Sequence, residues 1–174
     1  MAVAARDSRA TDEPIGGRIL RGVLGGALSG LIFMLVTMWF ADSVGDPSSP
    51  LMMISTIVKG GEAAMANGTA DPTVGWLVHG VLSIVFGIVF ALVVPLFRTN
   101  GTVALAGIVY GALLYVLNFL VIAPLAFPIF EMANQPFELT VHIVFGALLS
   151  FAFFGSGVRA SEPVIALNTP LTSS

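Results

Sequence analysis

Four long apolar stretches stand out along this chain, separated by more polar ones. They run at about Leu20–Ala41, Val74–Leu96, Thr102–Pro124 and Phe137–Gly155. Each is roughly 20 residues, the length that crosses a hydrocarbon core of about 30 Å at a helical rise of 1.5 Å per residue. Away from their ends they carry no Asp, Glu, Lys or Arg. Long strands would leave backbone groups unpaired in lipid unless a barrel closed, so helices are expected. The pattern predicts an all-α membrane protein, a four-transmembrane-helix bundle over residues 20–156. A short N-terminal tail (1–19), a long outer loop (42–73) and a C-terminal tail (157–174) complete it. A cleaved signal peptide is the competing reading of the first stretch, but that stretch is too long for a signal core.

Composition agrees with this reading. Only 10% of the residues are charged and the mean hydropathy is +0.96, too little polar surface to cover a water-facing globule. The net charge of −3 and the lack of a basic run argue against nucleic acid as a partner. The absence of cysteine removes disulfides, thiolate metal sites and covalently attached haem.

Orientation follows from the basic residues. Arg6, Arg9, Arg18 and Arg21 precede span one, Arg98 lies between spans two and three, and Arg159 follows span four. With four crossings all of these fall on one side, which the positive-inside tendency makes cytoplasmic, with both termini. The other side holds Lys59 among Asp42, Asp46, Glu62, Asp71, Glu131 and Glu138, with Trp39 and Trp76 at its interface. In the long outer loop, Leu51–Met65 is too short to span. It either lies along the interface or packs on the helix ends. Phe127, Ile129 and Phe130 of the second outer loop are expected to meet headgroups or a partner. Pro95 and Pro124 read as helix terminators.

Spans one and three share a pattern: Gly22, Gly26 and Leu28 align with Gly107, Gly111 and Leu113. Spans two and four each open with a histidine followed by small residues: His79, Ser83, Gly87 and His142, Gly146, Ser150. Both trios fall at i, i+4 and i+8, one face of a helix. Two tandem hairpins in the same orientation would give this; so would convergence on common membrane residues. Gly22, Gly26 and Gly30, like Gly107 and Gly111, form small stripes where another helix can approach closely, inside the bundle or, for span one, in a homo-oligomer.

Polar side chains inside spans are few and therefore informative. His79, His142, Asn118 and Thr37 should all lie at one shallow depth, roughly 6–9 Å below the outer interface. Tyr115 and Asn118 share the small face of span three, and Glu138, four residues before His142, can reach the same ring nitrogen. Several chemistries suit two inward histidines: a b-type haem held by both, a copper or zinc site with Glu138, a proton or quinone site, or a pigment ligated by one of them. The alternative is structural, with the histidines bonding Asn118, Tyr115, Thr140 or a backbone carbonyl. The dispersed methionines form no tight array and read as packing.

Gly75-Trp76-Leu-Val-His79, Tyr110-Gly111, Pro124 and His142-Ile-Val-Phe145-Gly146 together resemble an uncharacterised family of bacterial four-helix inner-membrane proteins, over roughly residues 20–156. The resemblance implies the fold, the matched histidines and a bacterial inner membrane, and supplies no activity. No nucleophile–base pair, phosphate loop or carboxylate dyad is present in the sequence, so a non-enzymatic protein is expected. The sequence favours an accessory or scaffold subunit of a larger membrane assembly of respiratory or electron-transfer type, in contact with lipids and with other subunits or copies of itself. A haem or metal protein using His79 and His142, and a small channel or carrier, are the alternatives.

Overall fold

The computed structural model describes residues 13–160, and these are helical with short connections and no strand. In chain order the helices are α1 (Ile15–Val44), α2 (Ser49–Lys59), α3 (Glu62–Ala66), α4 (Pro72–Val93), α5 (Asn100–Tyr115), α6 (Ala123–Ala126) and α7 (Gln135–Phe151). A π-helical stretch, Val116–Ile122, joins α5 to α6 without a break. Among the described residues three helical runs are long and apolar enough to cross a membrane: Ile15–Val44, Pro72–Leu96 and Asn100–Ala126. The fourth, α7, has 17 residues and reaches about 26 Å. It is shorter than its apolar stretch because the chain turns after Phe151, through Gly155 at φ 63°. At the other end α1 begins at Ile15, one turn before the expected tail boundary; the rest of that tail, and most of the C-terminal one, lie outside the described residues.

The outward faces of the long helices are apolar, and their small residues lie inside. On α1, Leu20, Leu24, Leu28, Leu31 and Leu35 are exposed, whereas Gly22, Gly25, Gly26, Ser29 and Gly30 are buried. In hydrocarbon, apolar side chains gain little by turning inward, so close backbone packing must join the helices instead. The glycines permit it. A Cβ on Gly87 would collide with the Gly22 carbonyl, and one on Gly22 with the Gly87 carbonyl. Gly26 meets Ser83 in the same way, and Gly30 meets the Ser83 side chain. The second pair repeats the device: Gly107 lies on Gly146 and Ser150, and Gly111 on the His142 carbonyl. Thus α1 pairs with α4 and α5 with α7, while α1 also touches α7 where Gly25 meets Leu149 and Ala152. The registers are not identical. Gly22 faces Gly87, but its counterpart Gly107 faces Gly146, the counterpart of Ser83, one turn away.

Between the two pairs, large side chains fill one half of the bundle. Phe90, Val94, Val103, Leu114, Phe145, Leu149 and Phe153 form the buried core, and Tyr110 Oη donates to the Phe86 carbonyl at 2.8 Å, tying α5 to α4. This is the end that carries the arginines. Arg21 Nη1 donates to the Ala152 carbonyl at 3.0 Å, placing a cation at the C-terminus of α7. Arg159, expected as an ordinary tail cation, is buried: it donates to the carbonyls of Phe97 (2.6 Å) and Phe153 (3.3 Å) and to Ser156 Oγ (3.1 Å). Together with the Gly155 N–H bond to Asn100 Oδ1 at 3.1 Å, it fastens the end of α7 to the α4–α5 turn.

At the acidic end, residues 51–65 form α2 and α3 rather than one segment. The helix-packing alternative is the one observed. Gly75 of α4 receives the Leu51 carbonyl, Ser55 Oγ accepts from the Asp71 N–H at 3.0 Å, and Lys59 donates to the Thr69 carbonyl at 2.8 Å. These contacts climb α2 while descending towards the start of α4, so the two run antiparallel. Asp71 caps α4 by accepting from the Thr73 N–H at 2.8 Å, and that bond holds its carboxyl below the usual carboxylate range. Pro124 does not terminate its helix. It stands in α6, beyond the π turn, where the Ala123 N–H bonds the Asn118 carbonyl. A proline has no N–H and its ring crowds the preceding turn, and widening that turn to π spacing accommodates it.

Gly87→Ala is expected to destabilise the fold by about 1–3 kcal/mol, because the added methyl meets backbone that no rotamer change can move. Gly80→Ala, with nothing within 4 Å of an added Cβ, should leave it unchanged. Thermal unfolding of the two variants in the same detergent checks this, and equal midpoints would refute the backbone-contact account.

Candidate functional site

The filled half of the bundle ends near Leu114 and Phe145; beyond it the four long helices enclose a cavity of about 700 Å³. α4 and α5 meet through Tyr110, Phe86 and Phe90, and past that contact Leu82 of α4 and Leu117 of the π-helical stretch both line the cavity. α2 closes another side with Met53, Ile54 and Ile57. The connection after α6 folds back so that Phe127 and Phe130 line the cavity, instead of facing outward as the sequence suggested. Phe119 and Phe130 meet edge to face at 6.0 Å, Phe127 and Phe130 at 6.5 Å, and Phe40 stacks on Phe137 at 4.1 Å across α1 and α7. Eight phenylalanines line this space in all.

Five of the six candidate polar residues also line it: Thr37, His79, Asn118, Glu138 and His142. His142 is buried, with its ring against Phe33 (4.9 Å), Phe119 (5.4 Å) and Tyr115 (6.1 Å). Its Nδ1 lies 2.7 Å from the Glu138 backbone carbonyl. A carbonyl only accepts, so Nδ1 carries the proton and Nε2 keeps its lone pair. The Glu138 carboxylate is 3.9 Å from the same nitrogen, beyond hydrogen-bond range. The expected side-chain contact is therefore replaced by one to the backbone.

His79 is arranged the other way round. Its Nε2 donates to the Gly30 carbonyl at 2.9 Å, with Ser83 Oγ 3.4 Å away. Gly30 is needed for this approach, since its missing side chain is what lets Ser83 and His79 reach the α1 backbone. Both histidines thus bond backbone carbonyls, the structural arrangement foreseen as one alternative. Thr37 Oγ1 donates to the Phe33 carbonyl at 3.0 Å, leaving its lone pairs toward the cavity. Asn118 lies on the π turn, and its side-chain amide makes no hydrogen bond to another described residue. Helical spacing alone would not put Leu117, Asn118 and Phe119 on one wall; the wider π turn helps to do so.

Tyr115, the sixth candidate, is not on the wall but behind it. Its hydroxyl donates to Gln135 Oε1 at 3.1 Å, and Gln135 Nε2 donates to the carbonyls of Phe130 (3.3 Å) and Ala133 (3.2 Å). This chain of bonds holds the loop that carries Phe130 inward. Sequence reading missed Gln135, and it missed Phe33 and Phe119, which pack the imidazoles. The available signal was a cluster of aromatics at the outer ends of spans one and three.

The donor set does not suit a haem held by both histidines. The Phe33 ring stands against both imidazoles, at 5.4 Å from His79 and 4.9 Å from His142. The usual ligating nitrogen of His79 is committed to Gly30. No group of three or more metal-ligating carboxylates and imidazoles comes together among the described residues. What the site offers is an aromatic chamber with a few polar groups: the acceptors His142 Nε2, Thr37 Oγ1 and the Glu138 carboxylate, and the side-chain amides of Asn118 and Asn134.

Nitrogen NMR of ring-labelled protein should find the two neutral histidines in opposite tautomers, His142 protonated at Nδ1 and His79 at Nε2. The same tautomer in both would contradict the assigned bonds. Compared with family models, with curated proteins and with solved structures, the chain matches none, so the site is read from its own residues alone.

Proposed function

We propose that this is a multi-pass membrane protein that binds a membrane-dissolved amphiphile in the cavity at its acidic end. On this reading all four long helices cross the bilayer, as two tandem hairpins. The short α7 is accommodated by local thinning or by its following turn, at a modest cost for each ångström of mismatch. The arginine-bearing end faces the cytoplasm with both termini, and the resemblance to bacterial inner-membrane proteins fits that placement. The small residues matched between the two helix pairs support the tandem arrangement, while their contacts differ in register by one turn.

One observation carries the binding function: the cavity is lined mainly by apolar and aromatic side chains, with a few converging polar groups. That is the composition of sites for small lipophilic molecules. Its rim residues Leu117, Ile122 and Met132 are exposed on the apolar surface, so a ligand can enter from the bilayer without crossing water. The role proposed is binding, not turnover.

The accessory-subunit reading drew on apolar outer-loop side chains available to a partner. Phe127 and Phe130 spend theirs on the cavity wall, which leaves that reading with less support. A channel is disfavoured by the core beyond the cavity, where Phe90, Leu149 and Phe153 are almost wholly buried and leave no through-path.

Because the chain lacks cysteine, single introduced cysteines report topology cleanly. Glu62→Cys should react with an impermeant maleimide in intact cells and Arg98→Cys only after lysis; the reverse pattern would overturn the orientation. For the cavity, triphenylmethanol is an uncharged aromatic probe with one hydroxyl. Native mass spectrometry should show a saturable one-to-one adduct with the protein, weakened at least about tenfold in Thr37→Trp, which places an indole within the chamber. Equal adducts in both, with Thr37→Trp folded, would sink the binding proposal.

A further inference from the structure

The cavity holds one formally charged side chain, and the character of its surroundings selects the kind of molecule that fits. Glu138 sits in the first turn of α7 with its side chain only 12% exposed. Among the described residues no lysine or arginine lines the cavity, and Glu138 makes no ion pair with one. Its nearest titratable neighbour, His142, directs its Nδ1 proton to the backbone carbonyl and not to the carboxylate. The helix N-terminus favours a negative charge at this position. Within the cavity the carboxylate otherwise faces apolar walls, and an ion buried there without a partner is costly.

The rest of the wall reinforces the same preference. The polar atoms left over from internal bonding are neutral: His142 Nε2 and Thr37 Oγ1 can accept, while the side-chain amides of Asn118 and Asn134 and the Ser49 hydroxyl can donate. A phosphate or carboxylate headgroup would find neutral donors but no lysine or arginine among the described residues here, and Glu138 would repel it. A quinone carbonyl could be met by those donors but would leave the carboxylate without a counter-charge. Phenylalanine faces, in contrast, attract a cation through the ring quadrupole, and the chamber presents rings from α1, α4, the π turn, the following loop and α7.

Resting on the binding function proposed above, we infer that the occupant is a hydrophobic organic monocation, a lipophilic amine or onium ion, paired with Glu138 and enclosed by the aromatic walls. The pairing supplies the missing counter-charge to the carboxylate. The rings replace the hydration that such a cation gives up on leaving water, and access through the apolar flank suits a molecule already dissolved in the bilayer.

Tetraphenylphosphonium and tetraphenylborate have nearly the same shape and opposite charge, which makes them suitable probes for the full chain in a neutral detergent. By equilibrium dialysis the phosphonium should bind at least about tenfold more tightly than the borate. Glu138→Gln should abolish most of that preference, with an unchanged gel-filtration profile and thermal midpoint in the same detergent reporting that the variant is folded. Should Glu138→Gln fail to fold, the phosphonium–borate ratio in the unaltered protein and in Glu138→Asp, where the carboxylate is withdrawn by one methylene, decides the matter, a reduced ratio in the latter being expected. Equal affinity for the two ions, or a preference that Glu138→Gln leaves intact, would overturn the cation assignment while triphenylmethanol binding keeps the cavity function standing. Failure of all three probes to bind saturably would remove both.

Discussion

Close backbone contact at glycine is the constraint on which the rest of this structure depends. Where helix surfaces face hydrocarbon, leucine and valine gain little by turning inward, so association rests on how near two backbones can come. Gly22 with Gly87 and Gly107 with Gly146 bring them within reach of one another's carbonyls. That choice fixes two tight pairs, α1 with α4 and α5 with α7. It also leaves the space between the pairs to be filled by something larger.

The two halves of the bundle treat that space differently. Near the arginines, Phe90, Phe145, Leu149 and Phe153 fill it, and Arg21 and Arg159 fasten the helix ends across it. Toward the acidic end the phenylalanines stand around the space rather than in it. Phe33 braces both histidines, the Tyr115–Gln135 bonds hold the loop, and α2 packs on α4 through Gly75. The cavity is therefore a consequence of pairwise helix packing, held open by supports on every side. It is not simply a place where side chains run out.

Much of the architecture was legible from residue spacing, because one helix and one face suffice to read it. The apolar stretches, the small stripes on Gly22–Gly30 and Gly107–Gly111, and the inward placement of His79, His142 and Asn118 all belong to that class. Other features depend on two segments meeting. Whether Glu138 bonds His142 by its carboxylate or its carbonyl turns on a rotamer. The inward turn of Phe127 and Phe130 turns on Gln135, a residue with no distinctive spacing. Arg159 reads as a tail cation until the α4–α5 turn supplies the Phe97 carbonyl to it. Pro124 signals a helix break, and only the wider geometry of the preceding turn shows that the helix continues through it. The void itself leaves no mark on any single helix, since it is set by the separation of two pairs.

An open cavity and a lone carboxylate make different energetic demands. In a water-soluble core an empty space of this size would forfeit a large sum of dispersion contacts. Where the walls are apolar and the rim opens on hydrocarbon, a lipid tail can enter and restore most of them, so volume alone does not call for a specific ligand. Glu138 gains nothing from an acyl chain. Nor do His142 Nε2 and Thr37, whose remaining lone pairs want a donor. The demand that a tail cannot meet is electrostatic and sits on the cavity wall. An occupant carrying both an apolar body and a positive head satisfies the volume and the carboxylate together, which is why the charge of the ligand, more than its size, is what this site is built to distinguish.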